Sequence, residues 1–170
     1  MNKGSENYAL SGEDMMYLVD NKANLEVYPN IHKYRTIEQL MGPHKACILL
    51  YEWKKDYGHW TCVFQRGDTI EFFDSYGEPP DEELENVPKH FAHVANEDHD
   101  YLMELIRKSG KKSVYNNFDF QKETKGMSTC GRHVCVRLAF RQLPNYEYVL
   151  MFLYSGIDPD DLVTYATNIL

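Results

Sequence analysis

Three strand-length runs follow one another between Ala46 and Ser75, and no other stretch narrows the fold as much. Ala46-Cys47-Ile48-Leu49-Leu50-Tyr51-Glu52-Trp53 is apolar almost throughout, the pattern of a central strand covered on both faces. Lys54 to Gly58 reads as a polar turn. His59 to Gln65 forms a second strand and Thr69 to Ser75 a third, with Arg66-Gly67-Asp68 between them and Tyr76-Gly77 closing the run. With Gly67 and Asp68 as a two-residue type II′ loop, Arg66 opposes Thr69 and Thr61 opposes Asp74. His59 is then the diagonal, same-face neighbour of Asp74 at the open end of the hairpin. A slip of one residue would send the two side chains to opposite faces.

The rest of the chain supplies mostly helices. Ser11-Gly12-Glu13-Asp14 is a capping-box pattern before Met15 and Met16. Val27 to Pro29 reads as a brief extended piece, and Tyr34 to Met41 as a short helix or a loop. Glu78 to Asn96, acidic and carrying three prolines, reads as a surface loop with room for one helical turn. Asp98 to Lys108 is an amphipathic helix, Val114 to Phe120 a short strand, and Gln121 to Met127 a polar loop. Helices follow over Thr129 to Gln142 and Tyr146 to Tyr154, the latter with its aromatic stripe in the core. Asp158-Pro159-Asp160-Asp161 opens a last one, with acids complementing the helix dipole. The expected architecture is α+β: one domain over residues 1–170, loose at 1–10, with a small, mostly antiparallel sheet packed between helices.

Composition excludes several classes. A net charge of −8 argues against general affinity for nucleic acid phosphates. No apolar run is long enough to cross a bilayer, and Met1 to Asp14 shows no signal-peptide pattern. Four cysteines (Cys47, Cys62, Cys130 and Cys135) lack CxxC spacing and sit in apolar contexts, which points to reduced thiols in a reducing compartment.

One of those cysteines stands apart. In Ser128-Thr129-Cys130-Gly131-Arg132-His133, two good N-cap residue types precede Cys130, placing it in the first turn of a helix. Unpaired N–H groups and the positive end of the helix dipole favour a thiolate there, and the thiolate is the nucleophile. Gly131 has no side chain to hold a substrate backbone away. A cysteine nucleophile needs a base, and the base needs an orienting group. The hairpin offers His59 and Asp74. Gln121, nine positions before Cys130, could donate to a developing oxyanion beside the backbone N–H of Cys130. His133, one turn into the helix, is the weaker candidate for the base, because it leaves the Asp74 hairpin unexplained. His90, His93 and His99 lack ligand periodicity and read as solvated, so no metal site is expected.

Gly58-His59-Trp60, Phe73-Asp74-Ser75-Tyr76-Gly77, Gln121 and Ser128-Thr129-Cys130-Gly131 occur in the order of the adenovirus-type (adenain-like) cysteine proteases. The chain resembles that group, especially the proteases of virophages and Maverick/Polinton elements, whose C-terminal region the Asp158-Pro159-Asp160 helix start also resembles. It is more distantly similar to the SUMO-deconjugating proteases. The resemblance implies a papain-like core with Cys130 as nucleophile, His59 as base and acid, Asp74 as orienter and Gln121 in the oxyanion hole. Trp60 would pack beside the site. It implies a cysteine endopeptidase cleaving capsid or virion precursors after small residues such as glycine, in host cytoplasm, viral factory or virion. A deconjugating isopeptidase is the alternative, and a non-enzymatic virion protein on a degenerate protease fold is a second. The acid is Asp, as in the deconjugating branch, rather than Glu. No cysteine lies between Cys62 and Cys130 to anchor a disulfide-linked peptide activator, and the acidic balance disfavours DNA as an obligatory one. The expected protein works as a monomer with protein substrates, without cofactor.

Overall fold

The computed structural model describes residues 4–168. Five strands form one sheet in chain order: β1 (Asn24–Val27), β2 (Ala46–Lys54), β3 (Tyr57–Arg66), β4 (Thr69–Phe73) and β5 (Lys112–Tyr115). The three central strands run antiparallel, and the outer two pair in parallel at the edges. Among the described residues seven α-helices pack around this sheet: α1 (Gly12–Leu18), α2 (Ile37–Met41), α3 (Lys89–Ala95), α4 (Tyr101–Lys108), α5 (Cys130–Ala139), α6 (Asn145–Ser155) and α7 (Pro159–Ala166). The fold is α+β.

The hairpin has the register that its turn chemistry demands. Arg66 faces Thr69 and Cys62 faces Phe73, with Gly67 at φ +57° and Asp68 outside the left-handed region, as in a type II′ turn. The uninterrupted apolar run of β2 is explained by cover on both faces. Ala46 and Ile48 join Cys62, Phe64 and Phe73 in a core beneath α1, α5, α6 and α7. Cys47, Leu49 and Tyr51 join Val63, Ile70 and Phe72 in a second core beneath α2 and α4. Period-2 alternation therefore sorts residues between two cores rather than between core and water.

The helix α5 is locked to the sheet by charge as well as packing. Glu71 Oε1 accepts from Arg137 Nε at 3.0 Å and Nη2 at 2.8 Å, while its Oε2 accepts from Arg66 Nη1 at 2.8 Å. Arg137 also donates to the carbonyls of Phe140 and Leu143, and its guanidinium lies over the rings of Phe64 and Tyr148. Glu71 and Arg137 are fully buried, so each depends on the other for its charge.

Several segments differ from the sequence reading. Residues 4–10, read as loose, are tied down: Glu6 O accepts from Ser128 N, Ser5 O accepts from Arg132, and Leu10 is buried. The acidic stretch after Gly77 is more ordered than a surface loop with one helical turn. It holds a 3-10 turn (Glu82–Asn86) and α3, and it buries Asp81 and Glu83. Asp81, in the left-handed region, accepts from the hydroxyls of Tyr28 and Tyr51 and from Met103 N, which pins the turn to the sheet. The edge strand β5 falls at Lys112–Tyr115, earlier than its apolar content suggests. The aromatic stripe of α6 is not all core: Tyr148 and Phe152 are buried, whereas Tyr146, Leu153 and Tyr154 face outward.

Candidate active site

The candidate base comes from β3, and its position depends on a glycine. A Cβ on Gly58 would lie 1.7 Å from Tyr51 O, so only glycine allows β2 and β3 to approach this closely just before His59. The candidate acid follows the last residue of β4. Asp74 Oδ1 lies 2.8 Å from His59 Nε2 and also accepts from Tyr76 N at 2.8 Å, an Asx-type turn that bends the chain out of the sheet. Asn116, just past β5, clamps the backbone of Asp74, accepting from its N–H at 3.0 Å and donating to its carbonyl at 2.6 Å. The ring of Tyr76 stacks on His59 with centroids 4.9 Å apart. His59 and Asp74 are both fully buried.

Cys130 is the first residue of α5, half-buried, while Cys47, Cys62 and Cys135 are buried. Thr129 occupies the N-cap position but does not cap: its hydroxyl donates to Asp160 Oδ1 at 2.5 Å. The same oxygen is 3.0 Å from His133 Nε2, and Asp160 Oδ2 accepts from Lys122 N. One carboxylate in the first turn of α7 therefore ties the base of α5 to the loop that follows Gln121. This also disposes of His133 as base, since its ring is turned into the core onto Asp160.

Asp74 uses Nε2 of His59, which leaves Nδ1 for the thiol of Cys130. Burial works against charge on His59, but Asp74 and then Cys130 outweigh it, and the imidazole is held well above its ordinary value of 6.5. Burial pushes the Cys135 thiol up to about 12 and raises those of Cys47 and Cys62 further.

Gln121 reaches the same place. Its Oε1 accepts from Ser75 Oγ at 2.7 Å, and its backbone N–H bonds to Ser75 O. That fixes the amide so that its NH₂ is the free end. Cys130, His59, Gln121, Trp60 and Tyr76 line one cleft of about 480 Å³, floored further along by Leu25, Val27 and Leu50. Gly131 is the exception among the residues singled out from the sequence. It is buried, and a Cβ there would meet Met15 Sδ at 2.9 Å, so its missing side chain admits a core methionine rather than a substrate. Ser75, Asn116 and Asp160 were not legible as site residues. Only the Asp-Ser dipeptide carried any hint of Ser75.

No protein-family model matches the sequence. Over 167 residues, 95% of each chain, it is 44% identical to the uncharacterised protein V9 of Sputnik virophage. The chain belongs to the V9 family. Solved structures similar to this V9-family chain include the ASFV pS273R protease, at TM-score 0.44 and 14% identity over 98% of this chain and 70% of the other. The SUMO protease Ulp1 with its catalytic cysteine oxidised to a sulfinic acid scores 0.41 at 12% identity, over 98% and 82% of the two chains. A complex of the Ulp1 protease domain with Smt3, the yeast orthologue of SUMO, also scores 0.41, at 13% identity over 96% and 78%. Overlaps this loose carry no argument, and the chemistry of the site has to rest on its side chains.

Of the three histidines read as solvated, all are exposed, and His93 pairs with Asp98 and His99 with Glu104 at the surface. Among the described residues, no helix is long and apolar enough to cross a membrane.

Proposed function

We propose that this chain is a cysteine endopeptidase that cleaves viral structural-protein precursors next to small residues. One observation carries the reading: a buried Asp74–His59 pair at 2.8 Å meets Cys130, the one half-buried thiol among the described residues, in a cleft that His59 and Cys130 both line. Cys130 passes its proton to His59 Nδ1, and the thiolate attacks the scissile carbonyl carbon. The oxyanion is met by the backbone N–H of Cys130, at the start of α5, and by the Gln121 amide. As the C–N bond breaks, His59 gives its proton to the leaving amine. It then takes one from water, which hydrolyses the thioester.

An apolar floor and an open mouth suit an extended polypeptide. Trp60 lines the cleft together with Cys130, and its bulk favours a small residue at the scissile bond. The virophage relative and the resemblance to viral maturation proteases support precursors of virion proteins as substrates. Host cytoplasm, viral factory and virion are then the places of action, and a monomer suffices because every residue of the site comes from one chain.

The test is alkylation by iodoacetamide across pH, read at each cysteine by mass spectrometry, in wild type and His59→Ala. The expected result is fast reaction at Cys130 alone near neutral pH, lost without His59. Equal reactivity of all four thiols would remove the nucleophile and with it the proposal. Substrate class follows from comparing glycine-containing peptides with a ubiquitin-like reporter; preference for the reporter would replace the endopeptidase by a deconjugating enzyme.

A further inference from the structure

The acidic stretch brings a second carboxylate to the catalytic pair. Donor-type atoms of His59, Asp74 and Glu83 all lie within 4.8 Å of one another, and all three residues are buried. Glu83 does not drift there. Its Oε1 accepts from Trp53 Nε1 at 2.7 Å and its Oε2 from Asn86 Nδ2 at 3.2 Å. The turn that carries it is anchored one strand away through Asp81 and the hydroxyls of Tyr28 and Tyr51. Asp74 Oδ2, by contrast, is buried without a hydrogen-bond partner among the described residues. A second buried acid beside a catalytic acid is costly unless a positive charge offsets both. The donor set could suit a cation. However, His59 Nε2 and Asp74 Oδ1 already share a hydrogen bond, and both oxygens of Glu83 are engaged, which leaves the imidazolium as the compensating charge.

We propose that Glu83 is a positioning residue of the active site, a second carboxylate that with Asp74 stabilises the imidazolium form of His59. The inference rests on the peptidase reading and adds to it a residue outside the Cys, His, Asp and Gln set. The groups facing His59 are Asp74 and the stacked phenol of Tyr76 from the turn after β4, Cys130 from α5, and Tyr51 across the β2–β3 pairing, besides Glu83 itself. Glu78, Glu82 and Glu123 surround the outer side of Glu83 and are too exposed to take its place. Desolvation raises the proton affinity of Glu83, and its attraction to His59 opposes that rise.

The experiment follows the histidine-ring NMR signals of the full-length chain through a pH titration, with His59 assigned by comparison with His59→Ala. Loss of one charge within 4.8 Å of the ring moves its titration midpoint down by about one to two pH units in Glu83→Gln. Trp53→Phe keeps the packing but removes a donor to the carboxylate, and it moves the midpoint the same way by less. It also serves if Glu83→Gln folds poorly. A purely structural Glu83 would lower the melting temperature and leave the midpoint in place, which would overturn the inference. Alkylation separates this from failure of the peptidase reading. If Cys130 is selectively reactive in wild type and the His59 midpoint ignores Glu83, only the inference falls. If Cys130 is not selectively reactive, both fall.

Discussion

Asp74→Asn tests the site most directly, because the change removes a charge and little else. The amide oxygen can still accept from His59 Nε2 and Tyr76 N, the two bonds that Asp74 Oδ1 makes at 2.8 Å. Asn116 still clamps the backbone. What disappears is the buried counter-charge of the imidazolium. Removing one partner of a fully buried pair costs about 3–5 kcal/mol. At about 1.4 kcal/mol per unit, that lowers the proton affinity of His59 by about two to four pH units. Burial, the largest influence on the ring, then acts with less opposition. At pH 7 the thiolate–imidazolium pair gives way to a neutral one, and alkylation of Cys130 should slow by about a hundredfold or more. Peptide hydrolysis should fall at least as far. Stability has its own signature. A pKa raised on folding stabilises the fold fully below the free value of about 6.5 and loses that contribution as pH climbs through the folded value. The melting-temperature gap between wild type and Asp74→Asn should therefore be wide at pH 6 and close toward alkaline pH. Unchanged Cys130 alkylation in a folded Asp74→Asn would refute the reasoning.

Three more outcomes are expected. Gln121→Ala should lower kcat by about 10²–10³ with little change in KM, as for the loss of one oxyanion donor, and Ser75→Ala should reproduce part of this by freeing the amide; equal losses in KM and kcat/KM would assign Gln121 to ground-state binding. Arg137→Met leaves Glu71 buried with only Arg66, at a cost of about 3–5 kcal/mol in denaturant unfolding, and a further Glu71→Met should recover much of it; if the double variant is no better than the single, the loss lies in packing over Phe64 and Tyr148. Burial raises the Glu97 carboxyl from 4.5 to about 8, so the folded state holds a proton that the unfolded chain releases, and stability should fall as pH rises from about 4.5 to 8. Glu97→Gln should flatten that slope in melting-temperature scans.

Much of the fold was legible because its signals are local. A two-residue turn with glycine at the left-handed position sets the β3–β4 register, and register alone puts His59 and Asp74 on one face. The length and unbroken apolarity of β2 state that it is covered on both sides. Cys130 at the start of a helix is likewise a matter of neighbouring residues, Ser128 and Thr129 before it and a helical run after it.

Other features depend on partners far away in the chain, and composition does not say which partner a polar residue meets. An acid in the first turn of a helix reads as dipole compensation, yet Asp160 is the buried acceptor for Thr129, His133 and Lys122. A run of glutamates and prolines reads as a solvated loop, yet the hydroxyls of Tyr51 on β2 and Tyr28 just past β1 hold Asp81 inward, and the same turn brings Glu83 to the imidazole. Gly131 reads as room for a substrate and is room for Met15. The aromatic stripe of α6 reads as core, but a helix against one sheet face can bury only one side, here that of Tyr148 and Phe152. Parallel pairing at both sheet edges could not be read either, since it joins segments separated by whole helices. The sequence by itself determined the central sheet, its register and the helix start that bears the cysteine. Only the tertiary structure decided which buried charges meet around them, because an ion pair or a hydrogen bond is specified by where two distant segments pack and not by either segment alone.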